Sequence, residues 1–331
     1  FGPRAHFEPA LTMRFSIVTI AATFVLVRAS RGVLGTPSYS PSTLWKRVMK
    51  RFSSVSSQKH SSAALSRKDL IRKLLKGIET GDPEAAAVVS EERYVQHNPQ
   101  TREGGEGLAA LFKRLSKTNP RVNIVRAFED GDFVFGHTEY DFSTRRIGFE
   151  IFRFDGNLAV EHWDNIQPRK GPNLSGRSMV DGPTESIDPE LTESNRKLVQ
   201  SFVSDILIDR KMETLEAFMT EESGLLQHSP ELEDGVAAFR SKLQETFSKD
   251  DSKEDEWAIR YDRLHRVLAE GNFVLAVSEG FNRGVHSSFF DLFRVDGGKL
   301  VEHWDTMEEV PPRSEWKNEN GKFKGLLEGK Q

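Results

Sequence analysis

The chain has 331 residues, 37% of them hydrophobic, enough for two ordinary cores. It has no cysteine, which excludes disulfides, thiolate metal sites and a cysteine nucleophile. The net charge of -4 is unevenly spread: residues 1 to 68 sum to +10 and 69 to 331 to -14, and so acidic a globular part argues against a nucleic-acid surface.

The N-terminal stretch reads as an address rather than a fold. Between Pro9 and Lys68 there is no Asp or Glu, but there are ten Lys or Arg residues. Met13, a plausible start that would place residues 1–12 outside the natural protein, precedes Arg14 and an apolar run from Phe15 to Val27. That run is short for a membrane span and near the length of a signal-peptide core, but no small-x-small cleavage site follows it. Trp45, Val48, Met49 and Phe52 then recur at helical spacing among Lys46, Arg47, Lys50 and Arg51, as in an organellar presequence. Residues 1–65 are therefore expected to target a mitochondrion or plastid, with secretion as the alternative. Any membrane contact is confined to this segment.

From Ser66 the pattern becomes globular. Ser66-Arg-Lys-Asp69 suits a helix start, with Leu70, Ile71, Leu74, Leu75 and Ile78 at helical spacing before Gly81-Asp-Pro83 ends it. A second helix is expected over 84–89. After Gln96-His-Asn-Pro99 and Gly104-Gly-Glu-Gly107 comes a third, Leu108 to Leu115. Strands are expected from Val122 to Phe128, from Phe133 to Tyr140, and as a hairpin from Ile147 to Ile166. A Pro-, Gly- and Ser-rich linker occupies 169–190. Helices over 193–208, 212–219 and 236–247 follow, then strands from Ile259 and a tail, 313–331, expected to be mobile.

The second half repeats the first. Val-Glu-His-Trp-Asp occurs at 160–164 and again at 301–305; His162 and His303, Trp163 and Trp304, Asp164 and Asp305, and Glu150 and Asp291 all lie 141 residues apart. His97 and His228, in Gln-His-Asn-Pro and Gln-His-Ser-Pro, lie 131 apart. A unit this long is a domain, so copy 1 is placed at 66–168 and copy 2 at 191–312.

Three segments carry a family resemblance: Gln96-His-Asn-Pro99 with Gly104-Gly-Glu-Gly-Leu108, the hairpin Glu150-Ile-Phe-Arg-Phe-Asp-Gly156, and Val160-Glu-His-Trp-Asp-Asn-Ile-Gln167. Together they resemble the SnoaL-like polyketide cyclase family of the nuclear-transport-factor-2-like superfamily, over about 69–312. The resemblance implies an α+β fold of two tandem cone-shaped barrels, each a curved antiparallel sheet wrapped around helices and enclosing an apolar pocket. It also implies that no cofactor or metal is used and that the partner is a small hydrophobic molecule. Single-domain relatives often dimerise through the sheet face, so the two copies are expected to associate with each other as a pseudo-dimer within one chain.

The residues suggest a chemistry. With Phe154 opposite Leu158, Glu150 faces His162, and Asp164 shares their side of the sheet; Asp291, His303 and Asp305 repeat the set. A carboxylate desolvated by Phe149, Phe152 and Trp163 becomes a general base near neutral pH, and an imidazole can protonate an enolate oxygen. The candidate catalytic residues are Asp164, His162, Glu150 and His97 in copy 1, and Asp305, His303, Asp291 and His228 in copy 2. His137, Trp163, Phe152, Trp304 and Phe293 are expected to line the pockets. The resemblance implies that an Asp and a His fill such roles in cofactor-free cyclases. A metal set of His97, His137, His162 and Glu150 has suitable ligand types, but nothing fixes their distances. The expected function is aldol, lyase or isomerase chemistry on a small hydrophobic carbonyl compound. The alternatives are a satisfied structural His-Asp pair in a small-molecule carrier, or a protein-interaction module.

Overall fold

The apolar positions 71, 74, 75 and 78 form the buried face of a helix, as their spacing requires. The computed structural model describes residues 65–247 and 259–326, and in it α1 spans Arg67–Thr80. The Ser66 side chain caps α1 by accepting from the Asp69 N–H, and Gly81 ends it at φ 69°. Pro83–Val88 is a 3₁₀ turn in place of the expected second helix, too short and proline-led to nucleate an α-helix on its own. Then come β1 (Val95–Gln96), α2 (Gly104–Leu115), β2 (Arg121–Asp130), β3 (Phe133–Asp141), β4 (Arg145–Asp155) and β5 (Leu158–Pro168).

Copy 2 follows the same plan. Its elements are α3 (Thr192–Phe202), running on into a π-helical turn, Val203–Ile208, then α4 (Leu215–Phe218), β6 (Leu226–Gln227) and α5 (Val236–Phe247). The strands are β7 (Ile259–Glu270), β8 (Phe273–Asn282), β9 (Val285–Asp296) and β10 (Lys299–Glu309). The sheets are ordered β1-β5-β4-β3-β2 and β6-β10-β9-β8-β7, with only the short first strand of each parallel to its neighbour. The expected fold class, α+β with two tandem units, is the one observed.

Strand alternation gives each sheet two apolar faces. One packs on helices: Val134, Phe152 and Phe154 meet Ile71, Leu74 and Leu75 of α1, and Phe293 and Val274 meet Phe202 and Phe239 in copy 2. The opposite faces share a single core, in which Phe135, Ile151 and Trp163 of copy 1 lie with Leu275, Leu292 and Trp304 of copy 2. The two sheets therefore cover each other face to face.

The linker and the tail are irregular, as expected, but neither is loose. After copy 1 the linker lies over copy 2: Ser178 O accepts from His228 Nδ1 and Asp181 O from Trp304 Nε1. After copy 2 the tail lies over copy 1, where Gly321 O accepts from His97 Nδ1 and Lys324 O from Trp163 Nε1. Both pairs of carbonyls are 143 positions apart. The tail read as mobile is thus packed as far as Leu326, which is fully buried. It is held by backbone and indole hydrogen bonds that leave no periodic trace. The segment expected to be a targeting extension lies outside the described residues; among those described, no helix is long and apolar enough to cross a membrane.

Candidate active site

A β-bulge sets the register of each hairpin. In β5 one extra residue, Val160, falls between the pairs Arg153–Glu161 and Phe154–Ala159. The turn shifts the pairing by one, Asp155 rather than Phe154 facing Leu158, and the bulge by one more, so Phe152 stands opposite His162 and Glu150 opposite Asp164, two positions from the expected pairing. Because the slip is by two, Glu150, His162 and Asp164 still share one face, the helix-covered one. Val301 makes the same bulge in β10, so Asp291 pairs with Asp305 and Phe293 with His303.

In copy 1 most polar atoms of the acid–imidazole–acid set are hydrogen-bonded, Asp164 Oδ1 excepted. His162 Nε2 donates to Glu150 Oε2 at 2.7 Å, its Nδ1 meets Gln96 Oε1 at 3.0 Å, and its ring stacks on Phe152 at 4.3 Å. Tyr140 donates its hydroxyl to Glu150 Oε1 at 2.8 Å. Asn98 Nδ2 donates to Asp164 Oδ2 at 2.8 Å. Lys322, from the tail, brings a buried ammonium to 3.5 Å from Asp164 Oδ1 and bonds Glu308 of β10. Glu308 and Asp164 outweigh the burial that opposes the charge and raise the Lys322 pKa; burial in turn raises that of Glu308. Glu150, His162 and Asp164 offer ligand atoms within 4.8 Å of one another, as a metal would need, but the chain supplies its own cation beside them.

Copy 2 holds the same set differently. His303 Nε2 donates to Asp291 Oδ1 at 3.1 Å, and Nδ1 meets Gln227 Oε1 at 2.9 Å. Tyr261 reaches Asp291 only at 3.3 and 3.4 Å. The tail's Lys322 corresponds, at the spacing of 143, to Met179 of the linker, so no ammonium reaches Asp305 this way. Oδ1 of Asp305 is covered and makes no hydrogen bond. The residue keeps some accessible surface because a cavity reaches it, yet it lies deep enough for burial, with Asp291 nearby, to raise its carboxyl pKa.

That cavity leaves about 140 Å³ for the centres of water-sized molecules, so it is a narrow site. Phe202, Phe239, Leu243, Phe247, Phe289 and Phe293 wall it, and Asp291, His303, Asp305 and Tyr261 supply its polar groups. Gln167 of copy 1 and Lys170 of the linker also line it. Gln167 Nε2 donates to Asp305 O at 3.0 Å.

Several expected site residues lie elsewhere. His97 stacks on Trp163 with centroids 4.6 Å apart and gives its two nitrogens to Glu161 and Gly321 O. His228 does the same with Trp304, Glu302 and Ser178 O. Adjacent strand residues point to opposite faces, so the Gln of each Gln-His pair reaches the inner imidazole and the His faces the strap that covers the sheet, the tail over copy 1 or the linker over copy 2. Trp163 and Trp304 belong to the shared core, not to a pocket. His137 is on the same outer face, where Arg126 donates to its Nδ1 at 2.6 Å; burial and then Arg126 push its pKa well below the ordinary value. Phe152 and Phe293 do flank the inner imidazoles. Sequence reasoning missed Gln96, Gln227, Tyr140, Tyr261 and Lys322; for the glutamines, alternation within Gln-His was the available signal.

Residues 71–162 match the family model described as a SnoaL-like domain. No curated protein matches the chain. Similar solved structures include TsrD from Streptomyces laurentii, 20% identical, covering 31% of this chain and 91% of its own at a TM-score of 0.28. IdmH from Streptomyces antibioticus is 16% identical over 31% of this chain and 93% of its own, with a TM-score of 0.29. An NTF2-like protein of unknown function from Cytophaga hutchinsonii is 15% identical over 32% and 95%, with a TM-score of 0.28. Residues 71–162, whose strand order copy 2 repeats, are thus similar to a SnoaL-like domain.

Proposed function

We propose that copy 2 carries out cofactor-independent proton transfer on a small hydrophobic carbonyl compound, of isomerase, lyase or aldol type, with copy 1 as its structural partner. One observation carries the reading: the Asp305 carboxyl, its pKa raised by burial, lines a cavity walled by aromatic side chains, whereas Asp164 has the Lys322 ammonium beside it. Such a group takes a proton from a carbon beside a carbonyl. Tyr261, whose hydroxyl burial and Asp291 keep protonated far above its ordinary range, is the donor for the oxygen that becomes an enolate. Its long bonds to Asp291 leave it able to turn. His303, fixed between Asp291 and Gln227, orients Asp291. In copy 1 the equivalent Asp164 is already engaged by Asn98 and Lys322.

The test is deuterium exchange beside the carbonyl of hydrophobic ketones in heavy water, followed by NMR. Asp305→Asn should lower the rate by about 10²–10⁴-fold, the usual share of a general base, while Asp164→Asn changes it little. Exchange that survives Asp305→Asn ends the reading. Tight ketone binding with no exchange in the unmodified protein would leave a carrier instead.

A further inference from the structure

Building on the reading of copy 2 as the site of chemistry, we infer that its substrate is amphipathic: an apolar body with an anionic, carboxylate-type head held at the cavity mouth by Lys170 and Lys242. Both lysines line the cavity, as does one mouth acid, Glu231. All three are solvent-exposed to a substantial degree, with side-chain exposures of 56% for Lys170, 67% for Glu231 and 37% for Lys242. The catalytic carboxyl, in contrast, lies deep in the cavity. Charge at the mouth and acid–base groups inside, with aromatic wall between, is the polarity of a molecule with a charged end and a reactive apolar end.

Lys170 is paired with Glu231 at 2.7 Å, and Lys242 with Glu245 at 3.2 Å. Exposed pairs of this kind contribute little and exchange readily, so an incoming carboxylate can take Glu231's place. Of the two acids that pair with these lysines only Glu231 lines the cavity, so both ammonium groups stand within reach of a ligand carboxylate at the mouth.

The comparison between copies is independent support. At the spacing that relates the hairpins, Lys170 corresponds to Pro311; at the spacing that relates His97 to His228, Lys242 corresponds to Leu111 and Glu231 to Gln100. Copy 1, whose inner Asp is locked by Lys322, thus has neither mouth lysine. Both lysines occur where the cavity and the unlocked Asp305 occur. One of the two, Lys170, is supplied from outside copy 2 by the linker that follows copy 1, so the mouth is incomplete without it.

The experiment compares γ-oxodecanoic acid with its methyl ester by calorimetry, using the full chain. The acid should bind about tenfold more tightly than the ester, and added salt should erase most of that difference. Lys170→Gln with Lys242→Gln should bring the acid down to the ester's affinity while leaving the ester and the melting temperature unchanged. Glu231→Gln, which removes the competing anion, should strengthen acid binding alone. Equal affinity for acid and ester, no binding of either, or equal loss of both in the lysine variant overturns the inference. Deuterium exchange is measured on the same samples: exchange without head-group preference refutes this inference alone, and preference without exchange refutes the proton-transfer reading alone.

Discussion

Asp164 and Asp305 occupy equivalent positions, and the residues around them decide how each behaves. Asp164 has Lys322 and Glu308 as neighbours; the equivalents near Asp305 are Met179 and Gln167. Lys322→Met should therefore destabilise by about 3–5 kcal/mol, because it leaves buried carboxylates without their cation. Adding Glu308→Gln reproduces copy 2's pattern and should recover part of the loss, a coupling that a double-mutant cycle in urea would show. At Asp305 the folded pKa lies above the ordinary 3.8, so the contribution to stability is full below that value and is lost as pH rises through the raised one. Asp305→Asn should remove this pH dependence from thermal melts and raise the melting temperature at neutral pH while abolishing exchange. Exchange catalysed by the unmodified protein should increase over the same pH window, as Asp305 loses its proton.

At the scale of elements, helices and strands were legible because their periodicities are local: α1, α5 and the strand runs fall where the apolar spacing put them. The inward face of the hairpin was legible too, since alternation survives a register slip of two. The bulges at Val160 and Val301 were not, because nothing in Val-Glu-His-Trp-Asp distinguishes a bulged valine from a paired one. The straps escaped for a different reason. Their order comes from carbonyls meeting His and Trp side chains, a signal that belongs to the partner surface. Each strap carries a glycine at the same point, Gly182 at φ 96° and Gly325 at φ 82°. A Cβ would lie 2.5 Å from Glu302 Oε1 in the first and 2.6 Å from Glu161 Oε1 in the second, with Trp304 or Trp163 also in the way. Gly182→Ala and Gly325→Ala should each cost about 1–3 kcal/mol, read from denaturant midpoints; unchanged midpoints would mean the straps do not hold as described.

For the whole molecule, the face through which a single unit would pair is already covered by the other copy. The chain should run as a monomer in sedimentation equilibrium, and a stable homodimer as the smallest species would contradict this. Placing charge in the shared core, as in Leu292→Asp, should unfold both copies together rather than one, seen as a single transition lost by fluorescence and by circular dichroism alike.

The straps cross over: the segment that follows each copy lies on the other. A cut near Asp188 would therefore give two half-chains, neither of which carries the peptide that covers its own tryptophan. Mixed, each could supply what the other lacks. The protein is in this sense a ready-made complementation pair, and co-expression of residues 65–188 with 189–331 should restore a soluble heterodimer that neither half forms alone.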